Sequence, residues 1–249
     1  YLIETGSNTI MKALILAAGR GKRLDELSVD NNKCMVRIMD RPVIEYSLDC
    51  VVSTDIDQII IIIGYRAEDV INHLGNYYKG KKLRYVIQAE QKGLVHAIES
   101  AREALAGEDF MLLLGDEILI NPKHKEMIDL FNTNDLFGIC GILRVDDKNL
   151  IKRTYCLIQD ENNNIFRLIE KPRKPLNNYM GTGDCIFRNQ IFQYIEYTPI
   201  HHERKEKELP DLIQCAIDDG NSVKSFIICD KYTNINTQED IIMAEGFFR

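Results

Sequence analysis

The sequence has few of the features that mark secreted, membrane-spanning or multidomain chains. Its seven cysteines include no CxxC pair, and no stretch rich in Pro, Gly or Ser separates one part of the chain from another. Scattered cysteines in odd number argue against a disulfide framework or a zinc knuckle, and they predict reduced thiols in the cytoplasm. No apolar run, Ile59–Ile63 among them, approaches the ~20 residues that span a bilayer, so we expect no membrane insertion.

An excess of positive charge is also absent. The chain carries 31 Lys and Arg against 38 Asp and Glu, a net charge of −7, which excludes a chain-wide basic footprint for nucleic acid. With 45% apolar residues in 249 positions, the chain is too apolar for disorder and long enough for a sizeable core. Residues 1–10 lack the basic-then-apolar pattern of a signal peptide, and we interpret them as a leader or expression remnant.

The first half of the chain alternates strand-like apolar runs with segments of helical spacing. This βα alternation with continuous apolar strands predicts an α/β fold: a mostly parallel, doubly wound, Rossmann-like sheet with helices on both faces. The predicted strands are Lys12–Leu16, Gln58–Ile63, Leu83–Ile87 and Phe110–Leu114, and the predicted helices are Pro42–Val52, Ala67–Leu74 and Leu94–Leu105.

The second half is predicted to be richer in β-structure. The polar stretch QDENNN between Tyr155–Ile158 and Ile165–Ile169 predicts a hairpin, and TQED at 237–240 predicts a capping box. The charged stretch HHERKEKE at 201–208 is interpreted as a solvated loop. Further predicted elements are a strand at Tyr179–Phe187, helices at Gln190–Glu196 and Leu209–Asp218, and a strand at Val223–Cys229.

A glycine-containing basic loop follows the first predicted strand. Residues 16–24 read LAAGRGKRL, with two glycines and three basic side chains close together. Backbone N–H groups and basic side chains in such a loop can hold a triphosphate. Leu24 stands where a dinucleotide-binding GxGxxG loop has glycine, and Arg23 stands where a Walker loop has Ser or Thr, so both motifs fail. A basic surface turn is the alternative interpretation.

This loop resembles the signature L-A-A/G-G-x-G-x-R-L of the nucleotidyltransferases that make nucleotide sugars, and it matches every fixed position. Further motifs of that family follow in order along nearly the whole chain after Met11. They are NKCMVRIMDRPVIEYSL from Asn32, QAEQKGLVHA from Gln88, LGD ending at Asp116, EKP from Glu170, TG from Thr182 and ELPD from Glu208.

Each motif is weak alone, and it is their common order that carries the resemblance. The resemblance is to the thymidylyl- and uridylyltransferases among the sugar-1-phosphate nucleotidyltransferases. It implies a GT-A-like sheet with a β-rich acceptor-binding insertion, in a single domain over 11–249. Its nucleotide-binding half would be 11–135 and its acceptor-binding half 136–249.

The resemblance also implies roles for the basic residues. Arg23 would stabilise the leaving pyrophosphate, and Lys33 would reach the α-phosphate or the attacking group; an exposed loop lysine is the alternative for Lys33. The remaining nucleotide contacts implied for the loop and its strand are Leu16, Ala17, Ala18, Gly19, Arg20, Gly21 and Lys22.

A magnesium site is expected at the end of the strand FMLLLG, where Asp116 offers a hard carboxylate. The alternative for Asp116 is a helix N-cap, and Glu117 is expected to be exposed or to support its neighbour. The family's second ligand motif, W-x-D-x-G-T, reads YTNINT here, so Asn234 and Asn236 replace Asp and Gly. Amide carbonyls also ligate Mg²⁺, and we expect both asparagines as ligands, with a turn before the last helix as the alternative.

Gln88 and Gly93 resemble the positions that read the pyrimidine in this family. A side-chain amide matches the O4 and N3–H pattern of uracil or thymine, and Gly93 leaves room for the base. This favours UTP or dTTP, but a flipped amide would accept cytosine, so CTP stays open. His96 is predicted to be a packed histidine.

The acceptor residues are also implied by the resemblance. Lys171 would bind the sugar phosphate and Glu170 a sugar hydroxyl, although an edge-strand salt bridge is the alternative for this pair. Cys156 and Asp184 depart from the family pattern, which puts the acceptor in more doubt than the chemistry. The other residues implied on the acceptor side are Tyr155, Thr182, Gly183 and Glu208.

The predicted reaction is attack by a phosphate oxygen of a sugar 1-phosphate on the α-phosphorus of a nucleoside triphosphate. It would be Mg²⁺-dependent and release pyrophosphate. One alternative is cytidylyl or other nucleotidyl transfer to a non-sugar phosphate, such as phosphocholine, for surface-polysaccharide modification. Another is a non-catalytic nucleotide-binding regulatory subunit. The expected partners are thus the triphosphate and a small phosphorylated acceptor, with a homo-oligomer left open.

Overall fold

The computed structural model describes residues 11–21 and 32–249. The proposed leader, and the loop residues Lys22 and Arg23, lie outside these ranges. The strands are β1 (Met11–Ala17), β2 (Arg37–Ile38), β3 (Arg41–Pro42), β4 (Gln58–Ile63), β5 (Tyr77–Tyr78), β6 (Lys81–Ile87), β7 (Asp109–Leu114), β8 (Glu117–Ile120), β9 (Gly138–Arg144), β10 (Tyr155–Gln159), β11 (Ile165–Glu170), β12 (Tyr179–Phe187), β13 (Val223–Ile227) and β14 (Lys231–Asn234).

The helices cover both faces of the main sheet. They are α1 (Ile44–Val52), α2 (Ala67–Leu74), α3 (Leu94–Ser100), α4 (Arg102–Leu105), α5 (His124–Thr133), α6 (Lys148–Ile151), α7 (Leu209–Asp218) and α8 (Gln238–Gly246), with 3-10 turns at Lys33–Met35 and Asn189–Tyr194. The single helix predicted over Leu94–Leu105 is therefore wrong, because a break at Ala101 divides it, and the helix predicted at Gln190–Glu196 is a 3-10 turn.

An eight-stranded sheet with the order β13-β9-β12-β7-β1-β4-β6-β5 forms the centre of the fold. β1 lies parallel to β4 and β7, β4 lies parallel to β6, and β13 lies parallel to β9. β12 runs antiparallel to both of its neighbours, and β5 is an antiparallel edge. The predicted mostly parallel α/β sheet is confirmed.

Both faces of the sheet are buried, because successive residues of each strand enter two different core layers. Ala13 and Ile15 of β1 pack into the layer that contains residues of α1, α2, α5 and α8, whereas Leu14 and Leu16 pack into the layer under α3, α4 and α7. The run of isoleucines in β4 is fully buried. Continuous apolar runs rather than alternation are what a strand covered on both faces requires.

Three two-stranded pairs complete the β-structure of residues 11–21 and 32–249. β10 and β11 form the predicted hairpin, and β2 pairs with β3. β8 pairs with β14 although more than a hundred residues separate them, a contact that no local pattern predicts. All seven cysteines are free. Within the described ranges, the search for a helix with the length and hydropathy of a membrane span found none.

Helix α8 begins with the predicted capping box. The Thr237 hydroxyl accepts from the Asp240 N–H at 3.4 Å, and the Asp240 carboxylate accepts from the Thr237 N–H at 2.8 Å. The same carboxylate accepts from the Asn236 N–H at 2.9 Å and pairs with Arg153. The cap therefore anchors not only the helix but also the segment that leads into it from β14.

We expect Thr237→Ala to lower the free energy of unfolding by about 1 kcal/mol, because it removes the N-cap oxygen. Urea denaturation of purified protein measures this change. Thr237→Ser is the matched control, since it keeps the hydroxyl and should keep nearly all of the stability. Equal stability of the Ala and Ser variants would show that the cap contributes nothing.

Candidate active site

Four polar side chains meet at the carboxyl end of β7. The Lys33 ammonium forms an ion pair with Asp116 and donates to the side-chain oxygens of Asn236, at 2.8 Å, and Asn234, at 3.5 Å. The Asn234 amide also faces the second Asp116 oxygen at 3.4 Å. Lys33 is only 8% exposed, so it is not a loop lysine in solvent. Two candidate catalytic residues, Lys33 and Asp116, and all three candidate metal ligands, of which Asp116 is one, thus come together.

Lys33 is held in this cluster by the buried Asn32. The Asn32 amide donates to the carbonyls of Ala17, at 3.0 Å, and Tyr65, at 2.7 Å, at the ends of β1 and β4. Its side-chain oxygen accepts from the Cys34 N–H and caps the short turn that begins at Lys33. Asn32 is not among the residues predicted from the sequence, although an Asn immediately before the lysine is an ordinary capping signal.

Asn234 is placed by the pairing of β14 with β8. In that register Asn234 lies opposite Glu117, the residue after Asp116. The Ile235 N–H then donates to the Asp116 carbonyl at 2.9 Å, which fixes the two backbones side by side. A long-range strand pair therefore brings the C-terminal asparagines to the β7 carboxylate.

This donor set fits a magnesium ion that is shared with a substrate. Asp116, Asn234 and Asn236 offer oxygen ligands, the type that Mg²⁺ prefers, but only one of the three is charged. In the described ranges, no three His, Cys, Asp or Glu side chains are grouped so that they could hold a metal by themselves. Mg²⁺ commonly takes one or two protein carboxylates and completes its shell with phosphate oxygens and water.

A cavity of about 430 Å³ opens on one side of the cluster. Asp116 forms part of its wall. We call it the nucleotide cavity, because most of the residues predicted to bind the nucleotide line it. Ala17 does not line it and instead packs into the core. The predicted nucleotide-binding residues that do line it are Leu16, Ala18, Gly19, Arg20, Gly21, Gln88 and Gly93.

One wall of this nucleotide cavity comes from the charged stretch 201–208. Glu206 lines the cavity, and its carboxylate lies 2.6 Å from the position that a Cβ on Gly93 would occupy. Gly93 has a φ of +91°, which a side chain would also strain. The stretch is a loop with exposed and half-buried residues, as predicted, but Glu206 turns toward the cavity, which charge density alone does not reveal.

A second cavity, of about 170 Å³, opens on the other side of the cluster. Asn234 and Glu117 lie in its wall, and Leu94 and Leu114 line both cavities. The cluster therefore stands where the two cavities meet. All six residues predicted on the acceptor side line this second cavity, which we call the acceptor cavity: Tyr155, Glu170, Lys171, Thr182, Gly183 and Glu208.

Three charged residues of this acceptor cavity, Glu170, Lys171 and Glu208, are joined by ion pairs directly or through Arg204. Lys171 donates to Glu170 at 2.9 Å, and Arg204 pairs with Glu208 and lies 3.7 Å from Glu170. Burial raises the pKa of Glu170, while the Lys171 and Arg204 charges oppose the rise. Glu170, Lys171 and Glu208 in the wall, with Arg204 paired to them, give this cavity a polarity that suits a ligand with hydroxyls and a negative charge.

Thr182 and Gly183 shape this cavity from β12, but their polar groups are already bonded within the protein. The Thr182 hydroxyl donates to the Gly141 carbonyl at 3.0 Å, and the Gly183 N–H donates to both Glu117 oxygens at 3.1 Å. A Cβ on Gly181 would lie 2.0 Å from the Tyr155 ring, so that glycine is required by packing. These residues define the shape of the wall rather than offer donors.

Glu117 is buried, not exposed, and it lies in the wall of the acceptor cavity. The Tyr232 hydroxyl donates to it at 2.5 Å. Asp184, beside it, pairs with the His124 imidazole at 2.7 Å. Burial, together with the charges of Asp184 and Asp116, raises the pKa of Glu117 well above its usual range. By accepting from Gly183 of β12 and Tyr232 of β14, Glu117 of β8 holds these three strands together.

Comparison with known proteins agrees with this geometry. The model of a family described as nucleotidyl transferase matches residues 12–245. The chain belongs to the nucleotidyl transferase family. A UTP–glucose-1-phosphate uridylyltransferase of Haloferax volcanii, AglF, is 30% identical over 94% of this chain and 95% of its own length.

Other members of the nucleotidyl transferase family are longer. A glucose-1-phosphate thymidylyltransferase of Streptomyces griseus is 26% identical over 93% of this chain, which spans 64% of that relative. Among solved structures, a UDP-glucose pyrophosphorylase in complex with UDP-glucose superposes with a TM-score of 0.87 at 21% identity, covering 96% of this chain and 98% of that one. This likeness confirms the fold, and the family resemblance recognised in the sequence is confirmed.

We expect Glu117→Ala to lower the free energy of unfolding by about 2 kcal/mol or more. It leaves the Gly183 N–H and the Tyr232 hydroxyl buried without an acceptor, and each such group typically costs about 1–3 kcal/mol. Urea denaturation measures the loss.

Glu117→Gln keeps a side-chain oxygen and should lose less, whereas Glu126→Ala, at an exposed position of α5, should change little. A Glu117→Ala variant as stable as the Glu126→Ala control would mean that these hydrogen bonds do not hold the site together.

Proposed function

We propose that this protein transfers a nucleotidyl group from UTP or dTTP to a sugar 1-phosphate, giving an NDP-sugar and pyrophosphate in a Mg²⁺-dependent reaction. The observation that carries the proposal is the position of the Lys33–Asp116–Asn234 cluster. Asp116 lines the nucleotide cavity and Asn234 lines the acceptor cavity, so groups bound in the two cavities would meet at these side chains. The UTP–glucose-1-phosphate uridylyltransferase among the relatives supports the same reaction.

The chemical problem is the approach of two anions. An acceptor phosphate oxygen must reach the α-phosphorus of the triphosphate while pyrophosphate leaves on the opposite side. Catalysis of such a step depends on alignment and on neutralising charge. Lys33 contacts Asp116 in one cavity wall and Asn234 in the other, so its ammonium would neutralise charge on the α-phosphate and on the attacking phosphate. Arg23, outside the described residues, stays a prediction for the leaving pyrophosphate.

Asp116, Asn234 and Asn236 would hold Mg²⁺ together with phosphate oxygens of the triphosphate. The ion, when bound, supplies a positive charge that polarises the phosphoryl group. Asp116 is the only charged member of this oxygen set, so it carries most of the electrostatic attraction for the ion. Binding there would also free Lys33 from its ion pair with Asp116 and let the ammonium turn to the substrate phosphates.

The lining of the acceptor cavity favours a sugar phosphate over other phosphate esters. The carboxylates of Glu170 and Glu208 accept hydrogen bonds, which matches the hydroxyls of a pyranose. Lys171 lies beside Glu170 and would bind the phosphate of the acceptor. Since the cationic head of phosphocholine is usually recognised by an aromatic cage, a cavity with these paired charges suits it less well.

The reaction is tested by measuring pyrophosphate release from UTP, dTTP, CTP and ATP against a panel of sugar 1-phosphates, phosphocholine and glycerol phosphate in magnesium. We expect release with UTP or dTTP and at least one sugar 1-phosphate. Release with phosphocholine and CTP alone would replace the proposed acceptor. Binding of triphosphate without turnover on any acceptor would indicate a regulatory subunit.

We expect Asp116→Asn to lower kcat by about 10²-fold or more, because it removes the negative charge that would hold the ion; loss of one charge-stabilising group typically costs 10²–10³. The assay is pyrophosphate release under saturating magnesium. Asp129→Asn, at an exposed position of α5, is the matched control and should leave kcat unchanged. Near-parental turnover of Asp116→Asn would refute the assigned role.

A further inference from the structure

Gln88 and His96 form a polar pair in the wall of the nucleotide cavity. Gln88 follows β6 directly and is 5% exposed, and His96 lies on the first turn of α3. The Gln88 side-chain nitrogen is 2.9 Å from the Nδ1 atom of His96 and donates to the Gly93 carbonyl oxygen at 3.2 Å. Both hydrogens of the amide are therefore directed at groups of the protein itself.

These two contacts determine which way the amide faces. A backbone carbonyl only accepts hydrogen bonds, so the nitrogen, and not the oxygen, of Gln88 must lie beside Gly93. His96 accepts the second hydrogen at Nδ1, which places the imidazole proton on Nε2. No described residue donates to the remaining atom, Oε1. Gln88 thus offers the cavity an acceptor and no donor.

His96 is itself held in place by the helix that carries it. Its neighbours Val95 and Ala97 are buried in the core layer under α3. Its carbonyl oxygen accepts from the Ser100 hydroxyl at 2.8 Å. The backbone of His96 therefore keeps a fixed position relative to Gln88, whose backbone N–H is bonded to Ile63 of β4.

We propose that His96, together with the Gly93 carbonyl, fixes Gln88 as a hydrogen-bond acceptor and so selects a base that presents an N–H donor. Uracil and thymine carry such a donor at N3, whereas N3 of cytosine is an acceptor. Turning the amide to suit cytosine would place Oε1 against the Gly93 carbonyl and would lose the bond to His96. His96 is then a positioning residue for base selection, an inference that rests on the proposed nucleotide site.

The test is isothermal titration of UTP and of CTP, in magnesium, into the wild type and three variants. His96→Leu removes the acceptor for the Gln88 amide, whereas His96→Asn places a carbonyl oxygen near the position of Nδ1. Glu99→Gln, at an exposed position of the same helix, is the matched control. The quantity compared is the ratio of the two dissociation constants, because general damage to the fold weakens both nucleotides together.

We expect the wild type to prefer UTP, and His96→Leu to reduce that preference by roughly five- to tenfold, the equivalent of one hydrogen bond of about 1 kcal/mol. His96→Asn and Glu99→Gln should keep the preference. An unchanged ratio in His96→Leu, or an Asn variant that behaves like Leu, overturns the inference while leaving the proposed reaction intact. A wild type that binds neither nucleotide overturns both.

Discussion

The ion pair between Lys33 and Asp116 is the contact on which the arrangement of the site depends. It lies at the junction of two cavities, and each partner comes from a different part of the chain. Alone, the Asp116 carboxylate would repel every phosphate that approaches it. With Lys33 beside it and the amides of Asn234 and Asn236 completing the cluster, the site carries no net charge.

The main sheet explains why these groups can be held so closely. β1, β4 and β7 are parallel neighbours, and their carboxyl ends lie at one edge. Ligand sites of parallel sheets form at such edges, since the loops that leave neighbouring strands meet there. Asn32 joins two of these strand ends through the carbonyls of Ala17 and Tyr65. A single buried amide thus ties Lys33, the next residue, to the ends of these strands.

The acceptor side is organised by buried polar contacts rather than by the sheet edge. Glu117 receives the Gly183 N–H and the Tyr232 hydroxyl, so one carboxyl group holds three strands at the required distance. Asp184, a departure from the family pattern, is buried against His124 and does not face the acceptor. That departure therefore changes a buried contact behind the cavity wall and not the residues that line the cavity. Arg204, in contrast, lies between the carboxylates of Glu170 and Glu208 and places a positive charge beside both.

The sequence alone determined the α/β class, most strand positions, the Thr237 capping box and the family, because local periodicity and motif order are written along the chain. It also identified Asp116, Lys33 and the asparagine pair as candidates. Only the tertiary structure decided that β14 pairs with β8, that Glu206 turns into the nucleotide cavity and that Gln88 faces it as an acceptor. Those facts depend on contacts between residues far apart in sequence or on the direction of one side chain, and neither leaves a periodic signal.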